Sequence, residues 1–203
     1  MQSKKMDKQK DKLDKSFWNS KWENQKTGWD IGRPSPPIVE YMNRYPNKNV
    51  SILIPGCGNA YEAEHLVSAG FKDITLLDIA PKAVEIISEK FNEMPEVKVF
   101  LEDFFLFEGH YDLIIEQTFF CAHAPFRREE YAKKAYDLLK PAGRIVGVLF
   151  SSEFEFEGPP FGGTEVEYRR IFEPYFEIRI MEECYNSIRP RAGNELFIEL
   201  IKR

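Results

Sequence analysis

The chain of 203 residues is 43% hydrophobic, enough to bury one sizeable core, so a single domain over residues 1–203 is expected. Its formal net charge of −5 argues against the basic face that nucleic-acid binders carry, and no apolar run is long enough to span a bilayer or to form a signal-peptide core. What these exclusions leave is a protein expected to be cytoplasmic.

In chain order, Lys4, Lys5, Lys8, Lys10, Lys12 and Lys15 alternate with Asp7, Asp11 and Asp14, which reads as a solvated tail. Trp18 and Trp22 are four apart and share a face if the segment is helical, and Trp29 follows Gly28. The three indoles make an aromatic wall, for which plain core packing is the alternative reading.

The stretch from Ser51 to Asp78 is the richest in the chain, spelling strand, glycine loop, helix, strand and carboxylate. Ile52, Leu53 and Ile54 suit a buried parallel strand, and Pro55-Gly56-Cys57-Gly58 breaks it. Ala63, Leu66 and Val67 mark a helix that stops at Gly70, and Ile74, Leu76 and Leu77 a second strand ending at Asp78. An acid about 20 residues beyond such a loop accepts hydrogen bonds from an adenosine ribose in doubly wound sheets. Dinucleotide enzymes want G-x-G-x-x-G, and Tyr61 occupies the third glycine position. The loop is nearer the G-x-G-x-G form used for S-adenosylmethionine, with Ala60 in place of the last glycine. A turn with no ligand remains open for Gly56 and Gly58.

Ala83, Val84, Ile87 and Phe91 continue the alternation as a helix begun at Pro81, and Val97, Val99 and Leu101 as a third strand that leads to Glu102, Asp103 and Phe104. Tyr111 to Glu116 reads as a fourth strand, with Gln117-Thr118-Phe119-Phe120-Cys121 emerging at its carboxyl edge. A helical stripe of Tyr131, Ala135, Leu138 and Leu139 stops at Pro141 and Gly143, before a fifth strand over Ile145 to Phe150. Phe176 to Met181 and Leu196 to Ile201 lack a helical stripe between them and are expected to pair antiparallel. Cys57, Cys121 and Cys184 are an odd, scattered set that suits reduced thiols, and His65, His110 and His123 show no ligand-like pairing, so no metal site is expected.

A set of motifs in family order then identifies a resemblance. Phe17-Trp18-Asn19-Ser20-Lys21-Trp22-Glu23, Gly28-Trp29-Asp30-Ile31-Gly32-Arg33-Pro34, Ile54-Pro55-Gly56-Cys57-Gly58 and Leu77-Asp78-Ile79 come first. Glu102-Asp103-Phe104-Phe105, Thr118-Phe119-Phe120-Cys121, Leu138-Leu139-Lys140-Pro141-Ala142-Gly143 and Gly158-Pro159-Pro160-Phe161 complete it. The chain resembles the thiopurine S-methyltransferase superfamily and, within it, the halide/thiol methyltransferase branch. The resemblance implies a Rossmann-like class I α/β fold: a mostly parallel seven-stranded sheet ending in an antiparallel β-hairpin, residues 47–203, under an N-terminal helical lid within residues 1–46.

It also implies S-adenosylmethionine as cofactor. Trp18, Trp22 and Trp29 would line its methionine and sulfonium side, Gly56 and Gly58 allow backbone approach, and Asp78 would hold the ribose. Asp103 would accept from the adenine amino group, Phe104 cover the ring with its backbone at the base edge, and Gln117 border the methionine. On the acceptor side the resemblance points to Trp29, Phe119, Phe120 and Phe161, with Arg33 as an anion attractor or a structural clamp. Methyl transfer to a thiol, bisulfide, thiopurine-like sulfur or halide needs alignment rather than a base, so no catalytic base is assigned. Plant members tend to carry tyrosine where this chain has Gln117 and Phe161. The alternatives are another small-molecule methyltransferase, where His123 would be a base for oxygen or nitrogen acceptors, a module that binds cofactor without catalysis, and, more distantly, a nicotinamide oxidoreductase.

Overall fold

Residues 13–152, 154–156 and 158–203 are described by the computed structural model. The lysine-rich segment from Lys4 to Lys12 lies outside them. The chain runs through α1 (Lys15–Glu23), α2 (Pro36–Arg44), β1 (Ser51–Pro55), α3 (Tyr61–Ser68), β2 (Asp73–Asp78), α4 (Pro81–Lys90) and β3 (Val97–Leu101). It continues through β4 (Tyr111–Gln117), α5 (Arg128–Leu138), β5 (Leu139–Phe150), α6 (Glu165–Phe172), β6 (Phe176–Glu183) and β7 (Glu195–Lys202).

The seven strands form one sheet in the order β3-β2-β1-β4-β5-β7-β6. β1 through β5 pair parallel, so their carboxyl ends share one edge, while β7 runs antiparallel to both β5 and β6. The period of two along each strand divides the core in two. Leu53, Leu77, Ile114 and Ile145 face α5 and α6, whereas Ile52, Ile54, Leu76 and Ile115 face α2, α3 and α4. Ile52 and Leu53 are wholly buried because both faces are covered, as parallel sheets require.

Two helices went unread in the sequence. α2 starts behind Ser35 with Pro36 and Pro37 in its first turn and buries Ile38 and Met42, one turn apart. In α6 the Thr164 side chain accepts from the Glu167 amide, and Tyr168, Ile171 and Phe172 are buried. β5 begins at Leu139, immediately after α5, so Pro141 and Gly143 lie within an irregular strand start where Ala142 has φ 60°.

α1 buries no residue in the core. Its Asp14 side chain caps the helix by accepting from the Phe17 amide at 2.9 Å, and Asn19 Oδ1 accepts from the Lys82 amide at 2.8 Å, resting α1 on the start of α4. Among the described residues no helix is long and apolar enough to cross a membrane, and no group of three or more His, Cys, Asp or Glu side chains is placed to hold a metal ion.

Candidate active site

The β1 loop turns sharply at the carboxyl edge of the sheet, with Gly56 at φ 57° and Gly58 at φ 54°, a region glycine enters without strain. Gly56 has a second reason to lack a side chain: an added Cβ would lie 2.2 Å from Cδ2 of Phe119. Beside it, Asp78 ends β2 and is 8% exposed. Its Oδ1 accepts from the Ala80 amide at 2.9 Å and its Oδ2 from the Gly58 amide at 3.2 Å. Burial pushes this carboxyl above its ordinary range, and the two amides oppose that shift. Each oxygen keeps a lone pair for a further donor.

Above the loop stands the tryptophan wall. Trp29 packs edge-on against Trp18 at 5.6 Å and against Trp22 at 6.2 Å, and an added Cβ on Gly58 would contact the Trp22 indole at 3.6 Å. Asp30 ties this segment to the glycine loop through the Asn59 amide and, at 3.4 Å, the Tyr61 hydroxyl. From the far end of the chain, Arg191 Nη2 donates to the Trp29 carbonyl at 2.9 Å while its Nη1 pairs with Glu195 at 3.3 Å.

Between wall and sheet edge lies a cavity of about 1840 Å³. Trp18, Trp22, Trp29, Gly56, Gly58, Asp78, Asp103, Phe104, Phe119 and Phe161 all line it. Asp103 Oδ1 accepts from the Phe105 amide at 2.9 Å. The Phe104 ring stacks on Tyr131 at 5.3 Å and is 3% exposed. Three expected residues are placed elsewhere. Phe120 is buried among Tyr131, Tyr168 and Phe172, Arg33 is exposed outside the lining, and Gln117 is also outside it, its Oε1 buried and without a partner.

The far wall is held by two groups that the motifs did not single out, Glu116 and Arg128. Thr118 takes φ 57°, and the buried Glu116 accepts from the Phe119 and Phe120 amides at 2.8 Å each and from the Tyr131 hydroxyl at 2.6 Å. Burial pushes the Glu116 carboxyl up to about 7, against the pull of these donors. The Phe161 amide donates to the Cys121 carbonyl at 2.7 Å, and the buried Arg128 holds the Gly162 carbonyl at 2.6 Å and Glu167 at 2.6 Å. His123 lines the cavity beside Phe119 and Phe105. Cys57 and Cys121 are buried, which drives both thiols well up and leaves them inert. In sequence nothing separates Arg128 from its neighbour Arg127; only the fold shows which one is enclosed.

Comparison with known proteins gives the family and the fold of the chain. The profile of the family described as thiopurine S-methyltransferase matches residues 13–199. A probable thiol methyltransferase 2 of Arabidopsis thaliana is 34% identical over 184 residues, 88% of this chain and 81% of its own. Thiocyanate methyltransferase 1 of Brassica oleracea is 31% identical over 189 residues, 90% and 83% of the two chains. Among solved structures, the 1,6-didemethyltoxoflavin-N1-methyltransferase of Burkholderia thailandensis, which holds S-adenosylhomocysteine, superposes with a TM-score of 0.72 at 17% identity over 93% of this chain and 86% of that one. A TehB-like S-adenosylmethionine-dependent methyltransferase of Corynebacterium glutamicum gives 0.67 at 17% identity, over 93% and 98%. At such identity the solved structures speak for the fold alone.

Proposed function

Because the chain belongs to the thiopurine S-methyltransferase family, we propose that its cavity divides into a cofactor side under the tryptophans and an acceptor side along Phe119 and Phe161. The protein is an S-adenosylmethionine-dependent methyltransferase of small sulfur nucleophiles. The observation that carries the division is the single cavity in which the Trp18, Trp22 and Trp29 wall faces Gly56, Gly58 and Asp78 across the sheet edge.

The cofactor suits the residues present. About 1840 Å³ exceeds the roughly 300–1,000 Å³ of a pocket for one drug-sized ligand, leaving room for an acceptor beside it. The spare lone pairs of Asp78 are assigned to the ribose hydroxyls and the second oxygen of Asp103 to the adenine amino group. Phe104 presents its backbone to the base, since its ring is committed to Tyr131. The indole faces would shield a sulfonium cation by cation–π attraction, whereas Gln117, outside the lining, is withdrawn from the methionine contact. When bound, S-adenosylmethionine supplies a methyl group on a positively charged sulfur, open to in-line displacement.

The protein's own part is alignment and exclusion of water. Glu116 fixes the turn that carries Phe119, and Arg128 with the Cys121 carbonyl fixes Phe161. Arg191, paired with Glu195, reaches the cavity lining and braces Trp29, whereas Arg33 is outside the lining and is not given the role of anion attractor. Phe120 is assigned to the core and withdrawn from the acceptor wall. Thiols and bisulfide are placed ahead of halides as acceptors. Cytoplasmic residence, supported by the free, buried thiols, and a monomeric state belong to the same proposal.

Calorimetric titration tests the cofactor side. S-adenosylhomocysteine is expected to bind one to one with a change in tryptophan fluorescence, and NADH not to bind. NADH binding without affinity for S-adenosylhomocysteine would overturn the assignment.

A further inference from the structure

Among the described residues, His123 stands apart in lining the cavity while its buried ring nitrogen, Nε2, has no hydrogen-bond partner. A buried polar atom without a partner costs free energy, so a site that keeps one is expected to supply the partner as a ligand. The residue lies between two short turns, Phe120–Ala122 and Pro125–Arg127, and its amide donates to the Phe120 carbonyl at 3.3 Å. Its ring meets Phe119 edge-on at 4.5 Å, Phe105 at 5.1 Å and Tyr131 at 6.4 Å. The ionisable groups about it are engaged: Arg127 with Glu130 and the Phe105 ring face, and Tyr131 with Glu116.

We propose that His123 orients the acceptor by donating a hydrogen bond from its neutral imidazole to a monoanionic sulfur, a thiolate or bisulfide. The inference rests on the cavity being the methyl-transfer site proposed above. Burial and the nearby Arg127 hold the ring neutral, with its pKa down to about 3, so it is a poor proton acceptor and, in its Nε2–H tautomer, an N–H donor. A sulfur anion entering a phenylalanine-lined pocket loses water and needs one donor in its place; a neutral N–H provides this without the charge that would hold the nucleophile back. The sulfur enters ionised, the new S–C bond forms as the cofactor's S–C bond breaks, the electron pair stays with the departing thioether, and no proton passes to the imidazole. Nε2 is enclosed in this conformation, so the anion reaches it as the Phe119 ring shifts.

The test compares the unaltered chain with His123→Leu and His123→Gln, using bisulfide and a small alkyl thiol, with S-adenosylhomocysteine release as the readout. The leucine variant is expected to raise KM for the sulfur acceptor about tenfold or more, with kcat less affected and S-adenosylhomocysteine affinity unchanged, as for loss of one hydrogen bond to an anion. The glutamine variant, which keeps an N–H donor, is expected to recover most of the loss. In the unaltered protein, kcat/KM is expected to follow the ionisation of the free thiol with no further step near neutrality. An unchanged KM in the leucine variant, or a glutamine variant no better than leucine at equal cofactor affinity, would overturn the inference. Should the leucine variant fail to fold, the glutamine variant and the pH profile decide. No turnover by the unaltered protein on any sulfur acceptor would instead sink the reading on which the inference rests.

Discussion

Asp78 serves the loop and, in the function proposed, the ligand as well, because the amides of Gly58 and Ala80 occupy one lone pair on each oxygen and leave others free in a residue that lines the cavity. Asp78→Asn, which keeps an acceptor for one amide, is expected to fold and to weaken cofactor binding by about 1.5–3 kcal/mol per charged hydrogen bond lost, measured by calorimetry; full affinity in the folded variant would remove Asp78 from the site. Glu116 behaves differently, since burial carries its carboxyl from 4.5 up to about 7 and no ligand role is asked of it. The folded state therefore binds the extra proton. Its stabilising contribution is full below about 4.5 and is lost as pH rises through 7. Glu116→Gln is expected to flatten the stability profile between these limits in denaturant melts, and an unaltered slope would count against it. Phe161→Tyr restores a hydroxyl donor to the acceptor wall and is expected to raise turnover on bisulfide relative to aromatic thiols; an unmoved ratio would place Phe161 outside the acceptor pocket.

The residue scale also marks where sequence reading stops. The site of Asp78 was legible because an acid closing a strand, 20 residues past a glycine turn, has few other places to go. Phe119 and Phe120 were not separable. A left-handed Thr118 and a following 3-10 turn send one ring to the cavity and the other to Tyr168 and Phe172, and neither feature is written in the order of letters. Arg191 lies 162 residues from the Trp29 carbonyl it braces, so only the fold makes them neighbours.

At the scale of elements, α1 covers the cavity with three indoles nearby yet contributes no buried residue, being held through the Asn19 bond to the start of α4 and through Asp30. A chain lacking residues 1–30 is expected to unfold cooperatively, because both core clusters begin beyond that point, and to lose at least about tenfold, roughly 1.4 kcal/mol, in S-adenosylhomocysteine affinity. Failure of the truncated chain to fold would show that α1 is core rather than cover. The strands were readable because two-residue alternation and short apolar runs survive without knowledge of their neighbours. α2 and α6 escaped because each spans only eight or nine residues with three buried positions and, unlike the equally short α3, neither directly follows a strand and short glycine loop that announces a helix. The terminal hairpin was readable as a pair, but the insertion of β7 between β5 and β6 was not, since pairing with β5 is decided by the sheet rather than by the hairpin.

For the whole molecule, the parallel strands deliver Gly56, Asp78, Asp103 and Phe119 to one edge, and the segments on either side of the sheet close a cavity around that edge. Fold and reaction class were legible together because the motifs run from Phe17 to Phe161 in order, whereas the acceptor depends on the shape of a wall that no motif encodes. The direct test is methyl transfer from S-adenosylmethionine to bisulfide, thiocyanate, small alkyl thiols, an aromatic thiol, a thiopurine and iodide, followed by release of S-adenosylhomocysteine. Turnover on the sulfur anions ahead of iodide is the expected result. Confirmed cofactor binding with no turnover on any sulfur acceptor would contradict it.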